Sequence, residues 1–159
     1  MSTTQAAVAT DRFELLYKST QYVTVPDEAT IVALCKRGDW SGIRDVMPSV
    51  RFTAGMRKKI KVVRVKEKVS SQDCIDFIGT QNGQLPNVFG LAIAEMTVGP
   101  DLPKNVWILG FDHQHKLAAP QYNIKRVAYL VSSDTGIRHD WDECGRGLHV
   151  GECFLFFCD

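Results

Sequence analysis

The chain has 159 residues, of which 45% are hydrophobic and 23% carry a charge. This length favours one domain rather than two, and this composition is that of a globular protein rather than a disordered one. A nucleic-acid coat or a membrane-surface protein usually has a net charge far from zero. The formal net charge here is +1, so the overall charge does not support either class.

The two ends and the cysteines narrow the class further. Residues 1–11 are rich in Ser, Thr and Ala and lack the basic stretch of a secretory signal, so we expect a flexible N-terminus before a single domain over residues 12–159. No apolar run reaches the ~18 residues of a membrane helix. The five cysteines are odd in number and have no paired spacing, which favours free thiols in a cytosolic setting.

Hydrophobic periodicity, capping residues and helix breakers predict the elements of the first half of the chain. They are a strand over residues 13–25, a helix from Asp27 to Gly38, a short helix from Ser41 to Pro48, two strands over residues 50–54 and 60–69 around a turn at Gly55, and a helix capped by Ser70 or Ser71 that ends at Gly79.

The second half is predicted to be rich in strands. In order it contains an apolar run at residues 85–96 that suits a helix or a strand equally, a buried strand over 106–111, a long loop over 112–123, a strand over 124–131, a turn at 134–136 and a final strand over 148–157. The late strands leave little room for helices between them. We therefore expect an α+β fold, with a mostly antiparallel sheet and two to four short helices.

A basic segment spans residues 57–68. Its cations are Arg57, Lys58, Lys59, Lys61, Arg64, Lys66 and Lys68. Seven cations less the carboxylate of Glu67 give the segment +6, which leaves −5 for the rest of the chain. A hairpin with this charge can follow a phosphate backbone, so we expect an anionic partner: nucleic acid, a nucleotide or an acidic protein surface. Against this, no aromatic residue interrupts the segment, and lysines also protect exposed edge strands.

Histidine and cysteine side chains concentrate near the C-terminus. All four histidines and three of the five cysteines follow residue 112. Imidazole and thiolate are preferred zinc ligands, and the candidate set is His113, His115, His149 and Cys153. A strand over residues 148–157 would place His149 and Cys153 on one face. The alternative is that the thiols are buried and the histidines are solvated, because no zinc-binding spacing is present.

Cys144 is a candidate nucleophile. Glycines on both sides of Arg146 allow a tight turn, Arg146 can stabilise a thiolate, and His139 or His149 can act as a base. The acidic residues directly before Cys144 count against this role, because they raise the pKa of the thiol.

Residues outside the basic segment complete the expected contact surface. Trp141 stands between two acidic residues in a predicted loop, so we expect it to be exposed and to anchor a contact. His113, His115 and Arg146 are expected to lie in loops near it. Together with Arg57, Lys58, Lys59, Lys61, Arg64 and Lys66, these are the predicted binding residues.

Residues 144–151, Cys-Gly-Arg-Gly-Leu-His-Val-Gly, resemble a Cys-x-x-Gly-Leu-His-(Val/Phe) element of bacteriophage rapid-lysis rIIB-like accessory proteins. Residues 23–26 and 38–45 are similar in style to the N-terminal segments of that family. The resemblance covers about a quarter of the chain. It implies a phage accessory protein that acts inside an infected bacterium by binding a host factor, and it implies no catalytic residues.

These patterns predict a small cytosolic, phage-encoded binding protein that occludes a host defence or regulatory factor. The expected partner is a host protein or a nucleic-acid-containing complex, with no membrane and no cofactor involved. Two alternatives stay open. One is an enzyme that acts on nucleotides and depends on zinc or on a Cys/His pair, and the other is a structural component of a virion.

Overall fold

The structure is a computed structural model, and it describes residues 11–36, 52–112, 117–119 and 124–159. Its elements are β1 (Phe13–Lys18), β2 (Val23–Thr24), α1 (Glu28–Cys35), β3 (Arg57–Val65), α2 (Ser71–Thr80), α3 (Asn87–Val98), β4 (Trp107–Gly110), β5 (Leu117–Ala119), β6 (Ile124–Ser133), β7 (Gly136–Glu143) and β8 (Cys153–Cys158). Short 3-10 turns follow α3 and β7.

All the strands belong to one sheet. Its main path runs β1–β3–β8–β4–β6, and β7 pairs with β6 beyond it. Strand β2 pairs with the first residues of β3, and β5 pairs with the first residues of β6. Neighbouring strands are antiparallel except β4 and β8, which are parallel. The predicted α+β class with a mostly antiparallel sheet is confirmed.

Strand β8 lies at the centre of this sheet and is buried at every position. Successive side chains of a strand point to opposite faces. Phe154 and Phe156 pack in the core that includes side chains of α2, while Leu155 and Phe157 pack in the core that includes side chains of α1 and α3. The sheet is therefore covered on both sides, and we call these sides the α2 face and the α1/α3 face.

Local signals account for α2, and burial accounts for α3. Helix α2 begins with a capping box, in which Ser70 and Asp73 each accept a hydrogen bond from the other's backbone N–H. In α3, residues 87–94 are all buried. A helix that is buried all round has no apolar stripe, which is why the sequence at residues 85–96 did not distinguish helix from strand. In the described ranges, no helix is both long enough and apolar enough to cross a membrane.

Four predicted elements need correction. The predicted strand over residues 13–25 is two strands separated by a turn, and residues 52–54 are not a strand at all. Residues 136–143, which we expected to be a loop, form β7 and pair along β6. The final strand begins at Cys153, because residues 149–152 form a turn. The predicted helix after Ser41 and the first 10 residues lie outside the described residues.

Strand β1 contains a β-bulge that reverses the orientation of its last residues. Leu15 lies opposite Val63, yet Tyr17 lies opposite Val62. Because side chains alternate between the faces, one extra residue turns every later side chain to the other face. Tyr17 therefore packs against the core of the α1/α3 face, and Lys18 points toward the α2 face.

Close contact between β4 and α3 makes Gly110 sensitive to substitution. A Cβ atom there would lie 2.7 Å from Leu91 Cγ and 2.8 Å from the Asn87 carbonyl oxygen. We expect Gly110→Ala to lower the free energy of unfolding by ~1–3 kcal/mol, since a backbone atom cannot move aside cheaply. Urea denaturation measures the change.

The matched control is Gly79→Ala in α2, where a Cβ atom meets nothing within 4 Å. It should raise the free energy of unfolding by up to ~1 kcal/mol, because Ala restricts the unfolded chain and favours a helix. Equal effects of the two substitutions would contradict the packing of β4 on α3.

Candidate functional site

One face of β3 passes from the core to the solvent along its length. On the α2 face, Val65 and Val63 are buried beneath α2. Lys61 and Lys59 follow on the same face and are half-buried, and Arg57 is exposed. Residues two apart in a strand share a face. The covering helix thus leaves the first half of β3 open on this face, where it carries three cations.

Two neighbouring side chains complete this open region. Lys18 of β1 lies directly opposite Lys61. Val23 of β2 lies opposite Lys58 on the α1/α3 face, so the adjacent Tyr22 points to the α2 face. We call the set Lys18, Tyr22, Arg57, Lys59 and Lys61 the basic–aromatic face.

Tyr22 is the centre of this face. The guanidinium carbon of Arg57 lies 5.0 Å from the centroid of the Tyr22 ring, and Lys59 Nζ lies 5.1 Å from it. Both distances are those of cation–π contacts. Lys59 also donates a hydrogen bond of 3.3 Å to the backbone oxygen of Thr20. Tyr22 nevertheless keeps 47% of its surface exposed, so the ring remains accessible to a partner.

The cations of this face are not neutralised by the described part of the chain. None of Lys18, Arg57, Lys59 and Lys61 forms an ion pair with a carboxylate among the described residues. Two like charges directly opposite each other on neighbouring strands destabilise a sheet. The fold thus tolerates an unfavourable arrangement of Lys18 and Lys61 that a single acidic residue would relieve.

The other cations of the basic segment lie elsewhere. Lys58 points away from the basic–aromatic face, and its Nζ is 2.6 Å from Asp159 Oδ1. Arg64 forms an ion pair with Glu14 of the neighbouring strand, in which Arg64 Nη2 donates hydrogen bonds to both carboxylate oxygens. Lys66 follows the end of β3 and is exposed. The six predicted basic contacts therefore divide into three on one open face and three outside it.

Arg146 is already occupied by two carboxylates. Its Nε lies 2.5 Å from Asp142 Oδ2 and its Nη2 lies 2.7 Å from Glu152 Oε2. The hydrogen bond with Glu152 is the largest cause of the raised pKa of the Arg146 guanidinium, and the hydrogen bond with Asp142 also raises it. The guanidinium also lies 5.2 Å from the ring centroid of Trp107. Little of its charge is left for an anionic partner.

Trp141 lies in β7, opposite Ala128, and the expectation of an exposed loop at this position is wrong. Its side chain is partly buried and packs against the core of the α1/α3 face. The strand alternates apolar and charged residues, and the charged ones suggested a loop. The predicted contacts His113 and His115 lie outside the described residues.

The two candidate zinc ligands that the structure describes, His149 and Cys153, differ in burial. His149 is exposed in the turn before β8, whereas Cys153 is fully buried in β8. The premise that a single strand aligns them is wrong, because residue 149 precedes the strand. Among the described residues, no group of three or more His, Cys, Asp or Glu side chains is placed to hold a metal ion. With His113 and His115 outside that range, the zinc site stays a prediction.

Burial favours the protonated form of three described thiols, those of Cys35, Cys74 and Cys153. Burial raises the pKa of both Cys35 and Cys153 to about 12, and burial also raises the pKa of Cys74. The thiolate is the nucleophilic form of cysteine. His139, a predicted base, has its Nε2 2.5 Å from Glu95 Oε2. The side chain of Cys144 is outside the described part of the structure, so its role stays a prediction.

Sequence reasoning missed Lys18 and Tyr22. Both precede the basic segment by about 35 to 40 positions in the sequence. In the sheet, however, Lys18 lies directly opposite Lys61. The aromatic residue that the segment lacks is supplied by a different strand. The available signal was the cluster Tyr22-Val23-Thr24-Val25, which has the composition of a strand, but composition does not reveal the partner of a strand.

We predict that the effect of replacing Lys18 changes sign with the charge at position 61. In the natural chain, Lys18→Gln should raise the free energy of unfolding by ~0.2–1 kcal/mol, because it removes a repulsion across the strands. In a Lys61→Glu background, the same substitution should lower it by a similar amount, because it removes an attraction. Urea denaturation at low salt measures both effects.

Repeating both measurements at higher salt concentration provides the control. Both effects should shrink as ionic strength rises, since exposed charges are screened. An effect of the same sign in both backgrounds would contradict the pairing of Lys18 with Lys61.

Models of known protein families, curated proteins and solved structures were compared with the chain, and none of them matches it. The resemblance of residues 144–151 to the rIIB-like proteins therefore stays a prediction.

Proposed function

We propose that this chain is a binding protein whose basic–aromatic face engages a nucleic acid. The observation that carries the proposal is the pair Lys18 and Lys61, two cations held directly opposite each other, neither of which forms an ion pair with an acidic residue in the described part of the chain. A phosphate backbone supplies a row of negative charges that relieves this repulsion on binding. A protein can retain a repulsion that lowers its stability when the same charges strengthen the binding of a partner.

The aromatic ring favours nucleic acid over an acidic protein surface. Carboxylates of a protein need only cations, whereas nucleic-acid binders combine cations along the backbone with aromatic rings that contact bases. Tyr22 lies within about 5 Å of two of the cations and remains nearly half exposed.

The proposed mechanism is occlusion, without covalent chemistry. In line with the rIIB-like resemblance, we propose that the chain acts in the cytoplasm of an infected bacterium, where it covers nucleic acid that a host factor would otherwise contact. The rival function, an enzyme that depends on zinc or on a Cys/His pair, would have to use Cys144 or a zinc ion, because burial disfavours the thiolates of Cys35 and Cys153.

We predict salt-dependent binding of a fluorescein-labelled DNA strand, measured by fluorescence anisotropy. If the four cations neutralise four phosphates, the logarithm of the binding constant should fall with the logarithm of salt concentration with a slope of about −3. Lys61→Glu should weaken binding by about 10-fold or more and reduce the slope by about 1, because a charged contact to phosphate is lost and a repulsion is added.

The matched control is Arg138→Glu. It removes one exposed cation from β7, which lies beyond β8, β4 and β6 from the basic segment, and it changes the net charge as Lys61→Glu does. Affinity should fall far less than in the Lys61 variant. Equal losses would mean that overall charge, and not this face, determines binding. Absence of binding to any nucleic acid at low salt would refute the proposed function.

A further inference from the structure

We propose that the nucleic acid is single-stranded and that one unpaired base stacks on Tyr22 while its neighbouring phosphates contact Arg57, Lys59 and Lys61. This inference rests on the proposed function and makes it specific. It requires three properties of the basic–aromatic face: an accessible ring, cations at a suitable repeat, and a ring placed beside the row of cations.

The repeat of the cations suits an extended strand of nucleic acid. Arg57, Lys59 and Lys61 alternate with residues of the other face, so their Cα atoms are about 6.7 Å apart along the strand. A nucleotide has as many backbone bonds as two amino-acid residues. An extended single strand therefore repeats at nearly the interval of these side chains, and successive phosphates can meet successive cations.

The position of Tyr22 determines where a base can go. Tyr22 belongs to the strand segment on the outer side of β3, and its ring lies beside Arg57 and Lys59. A phosphate bound by these two cations brings the base attached to it near the ring. The Arg57 guanidinium is itself planar and can stack on a second base.

Stacking on Tyr22 distinguishes a single strand from a duplex. Bases inside a duplex are stacked on their neighbours, so their faces are closed to a side chain unless the duplex is opened. Only an unpaired base offers its face to the ring without that cost. Because every base has such a face, the contact is tolerant of sequence. The face should therefore bind single strands of any sequence in preference to duplexes.

The number of cations limits the length of strand that is bound. Four cations and one ring correspond to a site of about 4 nucleotides, at the short end of known single-strand sites. Affinity should rise with strand length up to that size and then increase only slowly. Longer strands gain mainly from the larger number of ways to bind.

The test compares Tyr22→Ala with the natural chain on three labelled probes: a mixed-sequence DNA strand, the RNA strand of the same sequence, and the DNA strand annealed to its complement. Tyr22→Ala should weaken binding of the single strands by roughly 5- to 150-fold and leave duplex binding almost unchanged. Tyr22→Phe, which keeps the ring, should restore most of the lost affinity. Urea denaturation of each variant confirms that the fold persists.

The outcomes separate this inference from the proposed function. The inference is supported if the DNA or the RNA strand binds at least about 10-fold more tightly than the duplex and Tyr22→Ala removes that preference. It is overturned if single strands and duplex bind equally, or if Tyr22→Ala weakens both to the same extent. In that case salt-dependent binding that is lost in Lys61→Glu would still uphold the proposed function, whereas a chain that binds none of the probes refutes both.

Discussion

The burial of β8 on both sides is the constraint on which the rest of the structure depends. A central strand of apolar side chains requires cover on each face, since it otherwise exposes aromatic surface to water. Helices α1 and α3 cover one face and α2 covers the other. The two aromatic residues on the α2 face, Phe154 and Phe156, are covered by a helix of only 10 residues. That helix is too short to shield the whole sheet, so part of β3 meets the solvent.

The exposed part of β3 has a different chemistry from the buried part of the same strand. Valines stand where α2 covers the strand, and cations stand where it does not. Long basic side chains can lay their methylene groups on apolar surface while their charges reach water. Lys61 does this over Phe156, with its Nζ 5.8 Å from the ring centroid. The basic–aromatic face is thus the edge of the core as well as the surface that we propose binds a partner.

The sequence predicted those features that depend on neighbouring residues. Helix α2 followed from its Ser70 cap, and the buried strand β4 and the basic strand β3 followed from runs of like residues. What depends on distant pairing was not predictable: the cations that contact Tyr22 and the register of Lys18. Strand β7 was missed because its exposed charges resemble those of a loop. The same separation explains the candidate site: Arg57, Lys59 and Lys61 were predicted, whereas Lys18 and the ring of Tyr22 were not.

The β-bulge in β1 links the length of the chain to the charge of its surface. The extra residue between Leu15 and Tyr17 turns Tyr17 inward and Lys18 outward. If the same residues paired without the bulge, Tyr17 would lie opposite Lys61 and the ammonium group of Lys18 would face the apolar interior. Substitutions in β1 change one side chain at a time, whereas this shift in register would exchange the two sides at once. As long as β1 keeps its extra residue, the bulge is therefore what holds a lysine, and not a tyrosine, on the solvent side of the sheet.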